Sequence, residues 1–322
     1  MAETTSGHFN MTVSGDPSAQ VTIEITTAPK WIATVSKLAP KLPQPQRQQL
    51  EDAAREAQDL LHPKTFHYLL AQRQSQTVGV AWGQHLPGSM SQIRNVIMTH
   101  TEAEQTALAL VNGMDQEFEK QGVSFSMMIL EESSSTLRST LEYSGYDSLC
   151  QVETMYQPLI SARAQPLTST LEFVSGAESK RTELISIIEA TYQQSLDCPK
   201  LQDMQSTNDI LDGYQQQGSI PVDGWSFVHH ANTAIGCLLM NASEGKKYWE
   251  LTYFGLIPEA RGQGWGTQVV QQACSHAATA GAEFLITTVD QANQPALAIY
   301  RQLGFIPMEN NEIYAKQLKT YH

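Results

Sequence analysis

The chain has 322 residues, 41% of them hydrophobic, and a formal net charge of -13. At roughly 100–200 residues per domain this length points to two domains, each with enough apolar residues for a core. The acidic balance excludes a nucleic-acid partner, since such binders present basic surfaces, and leaves room for a cationic small substrate. No apolar run approaches the ~18–20 residues of a membrane span, and the opening MAETTSGHFN lacks a basic-then-apolar secretion signal. A soluble, cytoplasmic protein without a membrane partner is therefore expected. Cys150, Cys198, Cys237 and Cys274 show neither C-x-x-C nor zinc-like spacing, so buried thiols and no metal are expected.

In chain order, the Pro-rich stretch APKLPQPQ at 39–46 reads as a loop inside the first domain, and TVGVAWGQ from Thr77 as a strand. TALALVNGMDQEFEKQG reads as a helix closed by Gly122, FSMMILEE as the strand after it, and EYSGY as a helix end broken at Gly145. The polar segment QPLISARAQPLTST, punctuated by Pro158 and Pro166, is a linker. The expected domains are 1–158 and 166–322, joined by 159–165. A short strand near 171–174 follows, then an amphipathic helix over 178–195 with Leu184, Ile187, Ile188, Thr191 and Tyr192 at helical spacing, and a second helix over 204–216. WSFVHH, TAIGCLLM and KYWELTYFGLI form a strand meander. A glycine loop then opens a helix stopped by Gly281, FLITTVD is a buried strand, and NQPALAIYRQL is a helix with Pro295 in its first turn. Gly304 breaks that helix before a last hairpin ending near Leu318.

The two halves follow one order. A shift of 159 residues places Gly122 on Gly281, Gly145 on Gly304 and EYSGY on YRQLGF, and TVGVAWGQ meets AIGCLLMN after a two-residue adjustment. The chain reads as two copies of one α/β fold, with α+β character and a mixed sheet.

The loop RGQGWGT decides what the second copy holds. A P-loop needs Lys after its last glycine, where Thr267 stands, and a dinucleotide fingerprint needs G-x-G-x-x-G after the first strand of a βαβ unit. Neither fits. What remains is R-x-x-G-x-G, with Arg261, Gly264 and Gly266 where a long strand turns into a helix. Glycines there let the backbone approach a diphosphate, and the free N–H groups and dipole of the helix's first turn favour its charge.

These residues, with Leu256, Ile257 and Pro258 before them and Asn293, Tyr300, Gly304 and Phe305 after, resemble the GNAT family of acetyl-coenzyme A-dependent N-acetyltransferases. The match covers most of 170–318, and the two-copy layout is similar to tandem members of the family. The resemblance implies two tandem GNAT-like domains and acetyl-coenzyme A as co-substrate, with no metal. It implies direct acetyl transfer to a primary amine of a small molecule or peptide; a non-catalytic acetyl-coenzyme A sensor or scaffold is the alternative. Main-chain groups of Gly255, Leu256 and Ile257 would hold the pantetheine arm, and N–H groups of Arg261, Gly262, Gln263, Gly264, Trp265, Gly266 and Thr267 the diphosphate. Arg261 either adds charge or braces the loop.

A neutral amine must attack, and a thiolate must be protonated. For an amine of pKa near 10.4, neutrality at pH 7 costs roughly 4.6 kcal/mol, so a base has value. Glu250, six residues before Leu256, is the candidate; strand alternation would put it on one face with Thr252 and Phe254, against the plainer reading of a surface carboxylate. Tyr300 is the candidate proton donor, or else a packed helix tyrosine. Asn293 caps its helix or positions the coenzyme.

His229 and His230, adjacent on a strand, face opposite ways, which is wrong for a metal pair. Asp197 in SLDCPKL could meet a cationic amine; the family's direct transfer argues against Cys198 as a nucleophile. Trp225 and Trp249 read as core aromatics. At the shifted positions of the first copy, Glu102, Gln105, Ala107 and Leu141 replace Arg261, Gly264, Gly266 and Tyr300, so coenzyme binding is expected in the second copy alone. A second copy of the whole chain, as a homodimer, stays open as a partner.

Overall fold

The computed structural model describes residues 8–11, 21–59, 65–99, 104–131, 135–159, 169–202, 204–216, 218–221, 223–243 and 247–319. The first half runs β1 (His8–Met11), β2 (Val21–Thr26), α1 (Ala28–Leu38), a 3-10 turn (Ala39–Lys41), α2 (Gln44–Asp59), β3 (Phe66–Arg73), β4 (Gln76–Leu86), β5 (Met90–Met98), α3 (Glu104–Lys120), β6 (Phe125–Glu131), α4 (Ser135–Tyr143) and β7 (Asp147–Pro158). The second runs β8 (Glu172–Ser175), a 3-10 turn (Ala177–Ser179), α5 (Arg181–Tyr192), α6 (Pro199–Gln202), α7 (Thr207–Gln216), β9 (Trp225–His230), β10 (Thr233–Ala242) and β11 (Tyr248–Leu256). After a 3-10 turn (Pro258–Ala260) come α8 (Trp265–Thr279), β12 (Phe284–Asp290), α9 (Gln294–Gln302) and β13 (Ile306–Gln317).

Shifted by 159 residues, β6 falls on β12, α4 on α9 and β7 on β13, each from first residue to last. The helix-ending glycines match as well: Gly122 and Gly281 have φ of 76° and 95°, and Gly145 and Gly304 both 84°, the left-handed region that glycine enters without penalty. Two expectations change. The stretch 39–46 is mostly helical, because Pro40 and Pro45 sit in first turns, where no N–H is needed, and Arg47 ties the corner to the carbonyls of Ala39 and Leu42. The last element is one long strand and not a hairpin: Asn310 and Asn311 stay extended.

The chain divides into two compact units, Met1–Ser148 with Ile313–His322, and Leu149–Glu312. The unit boundaries therefore cut across the repeat. In the second unit β7 pairs antiparallel with β12, Val152–Pro158 against Asp290–Phe284, and residues from Ile313 onward lie in the first unit, where the Leu318 N–H donates to the Ser124 carbonyl at 2.8 Å. Of the expected linker 159–165, Leu159 alone is described; the rest lies outside the described residues.

In the first unit the strand order is β1-β2-β3-β4-β5-β6, with the end of β13 next to β6. Leu110, Met114 and Phe118 of α3 cover one face, and Trp31, Val35 and Leu50 of α1 and α2 pack against Tyr68 and Trp82 on the other. A buried polar knot holds the last strand. Lys316 Nζ donates to Asp115 Oδ2 at 2.8 Å, and the Tyr146 hydroxyl donates to Asp115 Oδ1 at 2.5 Å. Burial raises the Asp115 pKa, and Lys316 opposes that rise. Removing one partner of a buried pair costs about 3–5 kcal/mol, so Lys316→Met should destabilise the protein by about that much at neutral pH. Because the cost is that of a bare buried carboxylate, whose folded pKa then rises further above its unfolded value, it should shrink as acid protonates Asp115. Urea melts at neutral and mildly acidic pH check this; an equal loss at both would refute it.

In the second unit the order is β13-β7-β12-β11-β10-β9-β8. Val269, Val270, Ala273 and Ala277 of α8 and Leu297 of α9 pack on one face with Leu251 and Leu285; Leu184 and Ile188 of α5 and Leu211 of α7 pack on the other with Trp225, Phe227 and Leu239. All four cysteines are buried free thiols.

Candidate active site

The second unit's sheet comes apart in one place. β11 and β12 pair in parallel through Tyr248, Trp249 and Glu250 against Phe284, Leu285 and Ile286, and no further. One residue later the Thr287 hydroxyl donates to the Leu251 carbonyl at 3.1 Å, and from there to Leu256 the strand has lost its neighbour on that side. On the other side β10 and β11 slip register, with Leu239 opposite Tyr253 and Met240 opposite Leu251, so that Thr252 is an extra residue. Such a bulge bends and twists a strand, and here it coincides with the opening.

The gap is the floor of a cavity of about 530 Å3 lined by Thr252–Leu256, the glycine loop, Thr287–Val289 and the first turns of α9. Thr252 is in this wall, its hydroxyl buried and without a hydrogen-bond partner. Sequence patterning missed Thr287 and gave Thr252 no role of its own.

The bulge also reverses the side-chain alternation. Phe254 packs with Tyr300 on the α8 face, rings edge-on at 6.3 Å, whereas Glu250 lies opposite Asn241, which bonds the Tyr214 carbonyl and the Trp225 indole on the α5–α7 face. The expectation that Glu250, Thr252 and Phe254 share a face is thus corrected by one inserted residue. Glu250 does not line the cavity; burial raises its pKa.

The glycine loop is shaped by conformation. Gly262 and Gly264 have φ of 74° and 76°, and a Cβ at either would meet nothing within 4 Å, so open space lies over the loop. Gly264 is the N-cap of α8, and no side chain caps the first-turn N–H groups of Trp265, Gly266 and Thr267, which have no acceptor inside the helix. Gly266 is needed for packing: its Cβ would stand 2.8 Å from Ile299. Arg261 braces. Its Nε donates to the Leu256 carbonyl at 2.9 Å, and its two terminal nitrogens to the carbonyls of Thr191 and Gln194 at 2.7 and 3.1 Å. Gln263 is exposed, and Trp265 packs against His230 with ring centroids 4.3 Å apart and planes tilted by 34°. Gly255 admits α5, since a Cβ there would come within 2.6 Å of the Thr191 hydroxyl oxygen. The Ile257 N–H donates to the Ile235 carbonyl at 2.9 Å.

Tyr300 and Asn293 both line the cavity. Burial raises the Tyr300 phenol, and a hydrogen bond with Thr287 draws it partly back. Asn293 caps α9, its Oδ1 accepting from the Ala296 N–H at 3.3 Å.

Residues 188–305 match the model of the acetyltransferase (GNAT) family. The second unit carries a GNAT-family domain. The chain is 34% identical to a mycothiol acetyltransferase of Saccharomonospora viridis over 29% of its own length and 28% of the relative's, and 36% identical to one from Corynebacterium glutamicum over 21% and 23%. The aligned part thus spans about a quarter of these relatives. A solved N-acetyltransferase of the same family from Sphaerobacter thermophilus superposes with a TM-score of 0.57 at 13% identity, covering 92% of this chain and 93% of that one. That likeness extends the GNAT fold, a mixed sheet with helices on both faces, over both units.

The first unit repeats the opening seen in the second unit's sheet. β5 and β6 pair in parallel only through Met90–Ile93 against Phe125–Met128, and a register slip at Trp82 and Gly83 stands where the second unit has its bulge. Gln49 of α2 bridges the parted strands, accepting from Asn95 at 3.3 Å and donating to Glu131 at 3.4 Å. Gln105 is exposed in the first turn of α3, Ala107 and Leu141 are buried, and Glu102 lies outside the described residues.

Proposed function

We propose that the second unit transfers the acetyl group of acetyl-coenzyme A directly to a primary amine of a small molecule or peptide. The observation that carries this reading is the coincidence, in one cavity, of the parted strands, the uncapped helix start behind Gly264 and the buried Tyr300 hydroxyl. Main-chain groups of β11 on the side that has lost its neighbour suit the amides of the pantetheine arm; the N–H groups from Gly262 to Thr267 suit the diphosphate, helped by the helix dipole. Arg261 serves by fixing the loop, its donors being spent on three carbonyls. Bound there, the thioester supplies the acetyl group, and Tyr300 holds the proton that the leaving sulfur needs. The first unit is a structural partner of this domain, with no coenzyme site of its own.

Calorimetry tests the reading: one acetyl-coenzyme A per chain is expected, with thiol release in the presence of an accepted amine. Two equivalent sites would refute the assignment to one unit, and binding without thiol release from any amine would favour a sensor. Gly264→Val should weaken binding at least about tenfold, because a β-branched residue is strained at φ of 76° by about 1–3 kcal/mol and its side chain enters the open space over the loop. Unchanged affinity would remove the loop from the site.

A further inference from the structure

The cavity wall holds a carboxylate, Asp197, that the reaction as proposed so far does not use. After α5 the chain turns through two left-handed residues that are not glycine, Gln194 (φ 55°) and Cys198 (φ 43°), and the turn carries Asp197 into the cavity wall. Such conformations persist where the surroundings over-determine them, and they cluster at functional sites. Here the surroundings are specific. The Cys198 N–H donates to Asp290 Oδ2 at 3.0 Å, the Asp290 N–H donates to Asp197 Oδ1 at 3.1 Å, and the Asn293 side chain adds a further hydrogen bond to Asp197.

What Asp197 lacks among the described residues is a cation. It makes no ion pair among the described residues. Arg261, the one guanidinium among the described residues of the cavity wall, is spent on backbone carbonyls. Among the described residues, the titratable groups that interact with Asp197 are Asp290 on β12, Tyr300 on α9, Tyr192 on α5, Tyr214 on α7 and the Cys150 thiol on β7, none of them positive. Burial raises its pKa; the hydrogen bond from the Asp290 backbone opposes this, the Asp290 charge adds to it, and Asn293 opposes it again. A fixed, half-buried carboxylate with no counter-ion among the described residues, facing a ligand cavity, is built to receive one.

We propose that Asp197 is the receptor for the acceptor's ammonium group and takes its proton, which makes the acceptor a cationic amine; this rests on the acetyl-transfer reading of the same cavity. One ammonium proton passes to an Asp197 oxygen. The lone pair so freed forms the C–N bond to the acyl carbon while the C–S bond breaks, and the sulfur takes a proton from the Tyr300 hydroxyl. The second proton shed by the nitrogen replaces the one Tyr300 gave, so the net release is the single proton on Asp197.

The test uses the full chain, acetyl-coenzyme A and two small probes: propylamine, an ammonium ion at neutral pH, and 2,2,2-trifluoroethylamine, which is already neutral there. Asp197→Asn should cut thiol release with propylamine by about 10²-fold or more, cut it far less with the fluorinated amine, and leave calorimetric coenzyme affinity unchanged. Asp197→Ser, which places no amide against Asn293, should do the same. Equal losses with both amines, propylamine turnover retained in both variants, or no propylamine turnover in the wild type would overturn the proposal. So would a propylamine-selective loss appearing in Glu250→Gln instead. Failure of the wild type to bind acetyl-coenzyme A would sink the acetyl-transfer reading itself.

Discussion

Tyr300→Phe should lower kcat by about 10²-fold or more while leaving the Kd for acetyl-coenzyme A nearly unchanged. The substitution keeps the ring, which packs against Phe254 and Phe305 with centroids 6.3 and 5.1 Å away, and removes only the hydroxyl. That hydroxyl is tied to Thr287, whose own hydroxyl holds the Leu251 carbonyl at the point where β11 and β12 part. The proton donor is thus fixed to the backbone of the opening. Burial pushes the phenol above its ordinary value, so it remains protonated across the neutral range and no fall in rate on the alkaline side should trace to it there. Single-turnover measurements separate the transfer step from binding. If kcat is retained and only KM rises, Tyr300 is a binding residue and the proton comes from elsewhere.

Much of the fold was legible in residue periodicity, because each repeat is built from local signals. Gly122, Gly145, Gly281 and Gly304 end helices in a conformation that other residues avoid, and the buried runs FSMMILEE and FLITTVD are too short for helices. The glycine loop was legible for the same reason. Three features were not. The bulge at Thr252 is one residue of slippage in a pairing that the sequence does not encode locally, and it separated Glu250 from Phe254. The grouping of Asp197, Asp290 and Asn293 depends on a turn through left-handed Gln194 and Cys198, residue types that do not announce that conformation. The membership of β7 and β13 in the units is the third. The two strands occupy equivalent places in the repeat, so nothing in either strand alone says which unit it completes.

That third feature sets the last prediction: residues 166–322 expressed alone should aggregate, whereas 149–312 should fold and bind acetyl-coenzyme A. The first fragment follows the sequence repeat and lacks β7. It would leave β12 with an unpaired edge over all seven residues that now face Val152–Pro158. It also loses Met155, a buried member of the core under α8, and the Glu153 carboxylate that accepts from Arg301 at 3.1 Å. An exposed, apolar strand edge is a template for pairing with other chains, and removing Met155 alone is worth about 2–5 kcal/mol in a packed core. Residues from Ile313 onward would hang from the same fragment without the first unit's strands to receive them. The second fragment follows the compact unit, keeps β7 from Leu149 onward, and contains every described residue lining the cavity. Size-exclusion chromatography and calorimetry on both decide the matter. A monomeric 166–322 with full coenzyme affinity would show that the repeat, and not the compact unit, is what folds; an insoluble 149–312 would show that the first unit is needed to complete it.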